Sequence, residues 1–322
     1  MTSSPTAPNG TAIAAPYALG VDLGGTKIEA ALVDLSGAVL PGSRFRAPTG
    51  RTATSEQLAA SATSVVSQAL AQLPPGGALI GVGIGSAGPI DVDGGLVSPL
   101  NLPAWRDYPL RDLVKNAVPD VHVRLRMDGE CITIAEHWVG AGRGESNLMG
   151  MVVSTGIGGG LILGGHAIAG PSGNAGHIGH VEVGGFDDRC LCGGIGCVEA
   201  VASGPKTTAW AQRQGWVGAT GEELAASYAA GDVIAIAAVR RAGRAIGQAI
   251  ASATALVDLD VVAIGGGFSH VTPDLFTFVR EAITERAPFP FVAKVRVIPS
   301  GLSGDGPLIG AAALILRSEV VS

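Results

Sequence analysis

Two stretches of the chain repeat one pattern, an apolar strand, a glycine turn and a second apolar strand, over 18–35 and again over 148–168. The first reads ALGVDLGG (18–25) into KIEAALVDL (27–35), and the second lies within LMGMVVSTGIGGGLILGGHAIAG (148–170). Short apolar runs joined by glycine turns pair as antiparallel meanders. In each half other strands and helical segments follow, which restricts the chain to a two-part α/β architecture. Similar order with little residue identity reads as a weak internal duplication.

The segments between the two hairpins carry their own signals. Thr54 and Gln57 can form a capping box, and Leu58, Val65, Val66, Ala69, Leu70 and Leu73 share one helical face before Pro74-Pro75 stops the helix. ALIGVGIGSAGPID (78–91) is a buried strand entering a Gly/Pro loop. From residue 121, VHVRLRM leads into Asp128 and a helix with Cys131, Ile134, Ala135 and Trp138 on its apolar face. The later third is helical over about 203–257. The strand VVAIGGG (261–267), a helix (273–286), the strand KVRVIPS (294–300) and a last helix from about Pro307 follow. The expected organisation is a disordered tail over 1–16, a small α/β lobe over 17–120 plus about 301–322, and a large α/β lobe over 121–300. A cleft is expected between the lobes, with the last helix packed back on the first.

Composition narrows the function. The 322 residues are 47% hydrophobic, enough for a substantial core, and 49 are glycine while only 4% are aromatic, a balance suited to tight turns and phosphate loops. A net charge of −6 with scattered Lys and Arg excludes a nucleic-acid surface, which needs a concentrated basic face. Arg124/Arg126 and Arg240/Arg241/Arg244 are short patches that read as ordinary solvated faces. No apolar run is long enough to cross a bilayer, and the first sixteen residues lack the pattern of a signal peptide, so a cytoplasmic location is expected. Three of the four Cys fall within eight residues, which is metal-like spacing and not a disulfide framework.

In VDLGGTK (21–27), Gly24 and Gly25 let backbone N–H groups approach an anion. Asp22 at a strand end can hold Mg²⁺ through water, and Thr26 and Lys27 can donate to phosphate oxygens. An ordinary hairpin turn is the plain alternative, and the segment is neither a Walker loop nor a Rossmann turn. STGIGGG (154–160) offers a second phosphate clamp through Thr155, Gly156, Gly158 and Gly159. AIGGGF (263–268) offers Gly265, Gly266 and Gly267 as bare backbone for a nucleoside. Each alone is weak, but three such loops in this order point together to a nucleotide.

With these segments the chain resembles the ROK family of sugar kinases and repressors, within the actin-like ATPase superfamily (ribonuclease H-like fold). The resemblance covers roughly 17–317 and rests on DLGGTK (22–27), GIGSAGPID (83–91), NLPAW (101–105), MDGECITIAEHWVG (127–140), STGIGGGLI (154–162), NAGHIGH (174–180), CLCGGIGCVE (190–199) and IGGG (264–267). It implies that Asp22 to Lys27 and Thr155 to Gly159 contact ATP phosphates and Mg²⁺, and that Gly265 to Gly267 lie near the adenosine. It makes Asp128 the catalytic base that accepts the sugar hydroxyl's proton; a helix N-cap is the plain role for the same residue. His180, Cys190, Cys192 and Cys197 form H-x9-C-x-C-x4-C, one imidazole and three thiolates, the set of a structural Zn²⁺. By resemblance His180 also faces the sugar, its orientation fixed by the metal. Ser86, Gly88, Asn101, Met127, His177 and Glu199 complete the expected sugar contacts; the plain alternative for Glu199 is an exposed carboxylate at a helix start.

Two positions depart from the family pattern. The residue before the catalytic Asp is usually Asn and here is Met127, and the Glu of the family's GExGH is here His177. Met127 has no donor and only a weak acceptor, and His177 can donate and accept but is not an obligate anion, so two of the expected sugar contacts are altered and glucose specificity is not carried over. His177 is also an alternative to His180 as zinc ligand. The expected activity is ATP-dependent phosphorylation of a hexose or hexose-like sugar, in a homodimer or homotetramer. The alternative is a non-catalytic sugar sensor, without the DNA-binding segment of the family's repressors.

Overall fold

The computed structural model describes residues 15–286, 288–302 and 304–321. The expected tail lies outside them except for Ala15 and Pro16, which already belong to the first strand. The chain runs through β1 (Ala15–Leu23), β2 (Lys27–Asp34), β3 (Phe45–Pro48), α1 (Ser55–Leu70), β4 (Gly77–Ser86), β5 (Ile90–Asp91), β6 (Leu96–Val97), α2 (Leu110–Ala117), β7 (Val123–Met127) and α3 (Asp128–Val139). It continues through β8 (Leu148–Val153), β9 (Ile157–Leu163), β10 (His166–Ala167), α4 (Val198–Ala202), α5 (Gly204–Arg213), α6 (Gly221–Ala229) and α7 (Val233–Val257). Last come β11 (Val261–Gly265), α8 (Asp274–Arg286), α9 (Pro290–Ala293), β12 (Arg296–Pro299) and α10 (Gly306–Leu316).

The duplication is explicit in the sheets. One has the order β3-β2-β1-β4-β7 and the other β10-β9-β8-β11-β12. In both, three antiparallel strands are extended by two parallel ones. The alternation of apolar residues that marked the two hairpins therefore encodes the same half-fold twice. The capping box of α1 is present, with Thr54 accepting from Gln57 N, and Leu58, Val65, Val66 and Ala69 are buried as the 3.6-residue period requires.

Residue 121 does not begin the second half. β7 pairs in parallel with β4, from Val82↔Val123 to Ser86↔Met127, and closes the first sheet. The chain crosses at α3, which packs on β8 and β9, while α10 packs on β1 and β4 and against α3. Glycines make these approaches possible. A Cβ at Gly20 or Gly83 would lie 2.1 Å from Leu308 O or 1.7 Å from Ala311 O of α10, and one at Gly310 would lie 1.8 Å from Cys131 O of α3. The C-terminal segment does not stay with the first sheet: Val320 O accepts from Ala167 N, and Val321 bridges to the end of the second sheet.

The arginine patches also differ from expectation. The Arg241 side chain is 14% exposed, ion-paired to Asp188, and its guanidinium lies 5.0 Å from the Phe186 ring and 5.4 Å from that of Trp210. Arg126 is 15% exposed and faces the buried Glu130. Aromatic faces and buried carboxylates recruited these side chains from the solvent, which a charge count cannot reveal.

Candidate active site

The carboxyl ends of parallel strands are where open α/β sheets bind ligands, because backbone donors and helix starts converge there. Asp22 stands near the end of β1, Ser86 ends β4, and Met127-Asp128 joins β7 to α3. Register sets Leu23 beside Ser86 and Ser86 beside Met127, so the three strand ends form one edge. In the second sheet β8 ends at Val153, Gly265 ends β11 beside Val152, and the 154–156 turn lies at that edge.

Asp128 occupies the first helical position of α3, with Met127 as N-cap and no side-chain cap bond. Its Oδ1 accepts from Gly129 N at 2.7 Å. Gly129 brings α3 against β9, since a Cβ there would lie 2.2 Å from Gly159 O, and Oδ1 faces the open position at Gly158. Burial pushes the Asp128 carboxyl up to about 6, the Gly129 N–H pulls it down, and the charge of Glu199 adds to the rise. Burial, then the Asp128 charge, pushes Asp22 up to about 7 against the pull of Lys27. Two acids with raised pKa values are thus coupled at one edge.

The first hairpin closes through Gly24 N donating to Lys27 O at 2.9 Å, and Thr49 braces it by donating from Oγ1 to Gly24 O at 2.9 Å. Thr26 at its tip is exposed, and Gly25 lies against Asn101. Asn101 is therefore placed against the first hairpin. Lys27 is held by Glu29, a buried carboxylate that also accepts from Arg44 Nε at 3.0 Å and Arg46 Nε at 2.8 Å. Burial works against ionisation of Glu29, but bonds from Arg44, Lys27 and Arg46 hold it down to about 2. Sequence reading missed this cluster. Its signal was the alternation Lys27-x-Glu29 beside Arg44-x-Arg46, which puts four charges on one face of paired strands.

The second hairpin closes through Ser154 N donating to Gly156 O at 2.9 Å, with Thr155 exposed. Glu199, in the first turn of α4, accepts from Ile157 N at 2.9 Å and packs against Gly156. It is half-buried and braces this hairpin. A Cβ at Gly24, Gly158 or Gly267 would meet nothing closer than 3.4 Å, so packing does not require glycine there. Bare backbone facing open space fits the close approach of a phosphate chain. By contrast Gly265 and Gly266 serve the interior, against Ser300 and against Val153 O.

His177 and Met127 meet. A Cβ on Gly88 would lie 2.8 Å from the His177 Nε2 and 3.1 Å from the Met127 Sδ. The two departures from the family pattern therefore both face Gly88. Asn174 clamps the chain just beyond Gly88, accepting from Ile90 N at 2.9 Å and donating to Ile90 O at 2.7 Å; this clamp lay unassigned within the NAGHIGH segment. Ser86 is fully buried, its hydroxyl donating to Ala87 O at 3.0 Å, and so holds the loop from inside.

His180, Cys190, Cys192 and Cys197 bring their donor atoms within 4.8 Å of one another. His180 Nδ1 lies 3.6 Å from Cys190 Sγ, and Cys192 Sγ lies 3.6 Å from Cys197 Sγ. Thiolates sharing a tetrahedral Zn²⁺ at 2.3 Å stand about 3.8 Å apart, so the set fits that ion. His177 is outside the cluster, its ring centroid 5.7 Å from that of His180. With Nδ1 of His180 turned to the sulfurs, Nε2 remains for another partner. His122, His166 and His270 are exposed and His137 is half-buried, in keeping with structural or solvent-facing roles. Among the described residues no helix is long and apolar enough to cross a membrane.

The chain is similar to the glucokinase of Thermotoga maritima, with 31% identity over 315 residues, covering 92% of this chain and 96% of that protein. It is 33% identical over 298 residues to the N-acetylmannosamine kinase of Yersinia pseudotuberculosis serotype O:1b, covering 91% and 96%. A solved ROK family glucokinase from Streptomyces griseus, in complex with glucose and AMPPNP, superposes with a TM-score of 0.81 at 29% identity over 94% of this chain and 99% of that one. The ROK family model matches residues 18–318, and with that span and these relatives the chain belongs to the ROK family.

Proposed function

We propose that this ROK protein, an ATP-dependent sugar kinase, transfers the γ-phosphoryl group of ATP to a hydroxyl of a hexose-like sugar, with Asp128 as general base. The observation that carries this reading is the Asp128 carboxylate. It is half-buried, held by Gly129 N–H, raised towards neutrality and aimed at the bare backbone of Gly158. Phosphoryl transfer needs mainly positioning and charge stabilisation, plus an acceptor for one proton. The sugar oxygen bonds to phosphorus as the bridging bond to the β-phosphate breaks, and the hydroxyl proton passes to Asp128. The two hairpins present backbone N–H groups, Thr26, Thr155 and Lys27 to the phosphates, with Glu29 orienting Lys27. Asp22 is placed to hold Mg²⁺ through water, and the ion, when bound, neutralises developing phosphate charge. His180, steadied by the Cys190/Cys192/Cys197 set holding Zn²⁺, offers Nε2 to the sugar.

The acceptor is expected to differ from glucose where Met127 and His177 meet. A thioether and a neutral imidazole replace an amide and a carboxylate, and unpaired buried sugar hydroxyls cost about 1–3 kcal/mol each. An ADP-release screen over a panel of sugars, with Asp128→Asn as control, tests the activity. Turnover confined to the unmutated protein is the expected result; ATP binding with no turnover on any sugar would instead favour a sensor. In Met127→Asn/His177→Glu, glucose turnover is expected to rise. No gain in a folded, zinc-loaded variant would refute this account of the acceptor.

A further inference from the structure

A cavity of about 320 Å³ lies along β7, and none of its lining residues belongs to the two hairpins. It is lined by Arg111 of α2, by His122, Arg124 and Arg126 along β7, and by Asp93 and Val321. Its volume is at the lower end of the range of about 300–1,000 Å³ typical of small-molecule sites. Strand periodicity explains the charge: His122, Arg124 and Arg126 recur every second residue and share one face.

Arg111 and Arg124 are anchored without being neutralised, and Arg126 faces a single carboxylate. Arg111 donates from Nη1 to Val92 O at 2.9 Å and from Nη2 to Asp93 O at 3.0 Å. Arg124 donates from Nη1 to Leu314 O at 2.9 Å and from Nε to His122 Nε2 at 3.3 Å, and Arg126 donates from Nη1 to Leu125 O at 3.0 Å. Carbonyl and imidazole acceptors fix the guanidinium planes but carry no compensating charge, and each guanidinium retains unused N–H donors. Among the described residues the one carboxylate within 4 Å of any of the three is Glu130, 3.4 Å from Arg126 Nε. Both Glu130 oxygens are buried without a hydrogen-bond partner, and burial pushes this carboxyl up to about 7, so it offsets Arg126 only in part. The Asp93 carboxylate, also in the lining, pairs with none of them and opposes an anion there, so that three guanidinium groups face Asp93 and the partly offsetting Glu130.

We propose that this cavity is a binding site for a small phosphate-type dianion, and that its occupancy is felt at Asp128 through β7. Preorganised guanidinium groups recognise phosphate oxygens by paired charge-assisted bonds. Arg126 is two residues from Asp128 on the strand that delivers it, and its partner Glu130 lies in the first turn of α3. An anion that draws Arg126 from Glu130 therefore acts on both sides of the Met127–Asp128 junction. Binding here does not depend on which sugar is phosphorylated.

The test is calorimetric titration of the full-length, zinc-loaded protein with inorganic phosphate and, separately, with glucose 6-phosphate, AMPPNP being present to fill the hairpins. One-to-one binding is expected that survives Asp128→Asn and weakens at least about tenfold in Arg111→Gln and in Arg124→Gln, as loss of a charge-assisted bond requires. Arg124→Lys, which keeps the charge and loses the fork, should be intermediate. Arg111 sits on α2 away from the catalytic edge, so Arg111→Gln carries the test if Arg124→Gln fails to fold. Equal binding of both anions identifies phosphate itself as the ligand, and tighter binding of glucose 6-phosphate identifies a phosphomonoester. No binding of either anion, or affinity unchanged in both Gln variants, overturns the proposal.

Discussion

The two sheets have the same strand order and directions, yet what they hold at their ends is different. The first presents Asp22 and Asp128, with Lys27 and the Glu29–Arg44–Arg46 cluster behind its hairpin. The second presents Ser154, Thr155 and bare glycine backbone, with Glu199 bracing its hairpin from α4. A duplicated scaffold thus carries buried acids at the edge of one sheet that the other lacks, while both hairpins keep open glycine backbone at Gly24 and Gly158. The glycines divide by position. Those in mid-strand, such as Gly20 and Gly83, let a helix approach, whereas Gly24 and Gly158 leave space that the protein does not fill.

The largest expected effect breaks the comparison at its acidic side. Asp128→Asn should lower kcat by about 10²- to 10⁴-fold with ATP affinity retained, while Thr155→Val across the site should cost about tenfold. In the unmutated protein kcat/KM should fall tenfold per pH unit below about pH 6, as the base becomes protonated. A flat profile from pH 5 to 8 would exclude Asp128 as the titrating base.

Next in size is the packing role of mid-strand glycine. Gly83→Ala puts a Cβ 1.7 Å from a backbone oxygen of α10, and a destabilisation of about 3 kcal/mol or more is expected in denaturant unfolding. Wild-type stability in that variant would mean that α10 can lift from the first sheet at no cost.

Asp22 sharpens the comparison from the side of stability. Its folded-state pKa of about 7 is above the usual 3.8, so the native state binds the extra proton between those values. Stability therefore falls as pH rises through that window, and the penalty is fully present above pH 7. Asp22→Asn, measured without Mg²⁺, should stabilise the protein by about 1–4 kcal/mol at pH 8 and hardly at pH 4, while abolishing turnover. A stabilisation independent of pH would remove ionisation as its cause.

The smallest structural effect is expected at Gly158→Ala. The nearest atom to the added Cβ is Asp128 Oδ1 at 3.9 Å, so unfolding should shift by no more than about 0.5–1 kcal/mol. If a substrate comes close to this backbone, kcat/KM nevertheless drops about tenfold. Unchanged kinetics would move the reacting groups away from Gly158.

Much of this was legible in the chain itself. Alternating apolar residues around two glycine turns encode the paired meanders, because strand period and turn chemistry are local properties. The capping box at Thr54 and the spacing of His180, Cys190, Cys192 and Cys197 were readable for the same reason, with partners close in sequence. Tertiary structure alone decided the assignments that depend on distant partners. It placed β7 in the first sheet beside β4, turned Ser86 inward, put Asn101 against Gly25, and brought Met127 and His177 together across Gly88. It also drew Arg126 and Arg241 out of their apparent surface patches, to Glu130 and to Phe186 and Trp210. Local pattern records which face of an element is apolar. Which charge or backbone meets that face is set by packing across the whole chain.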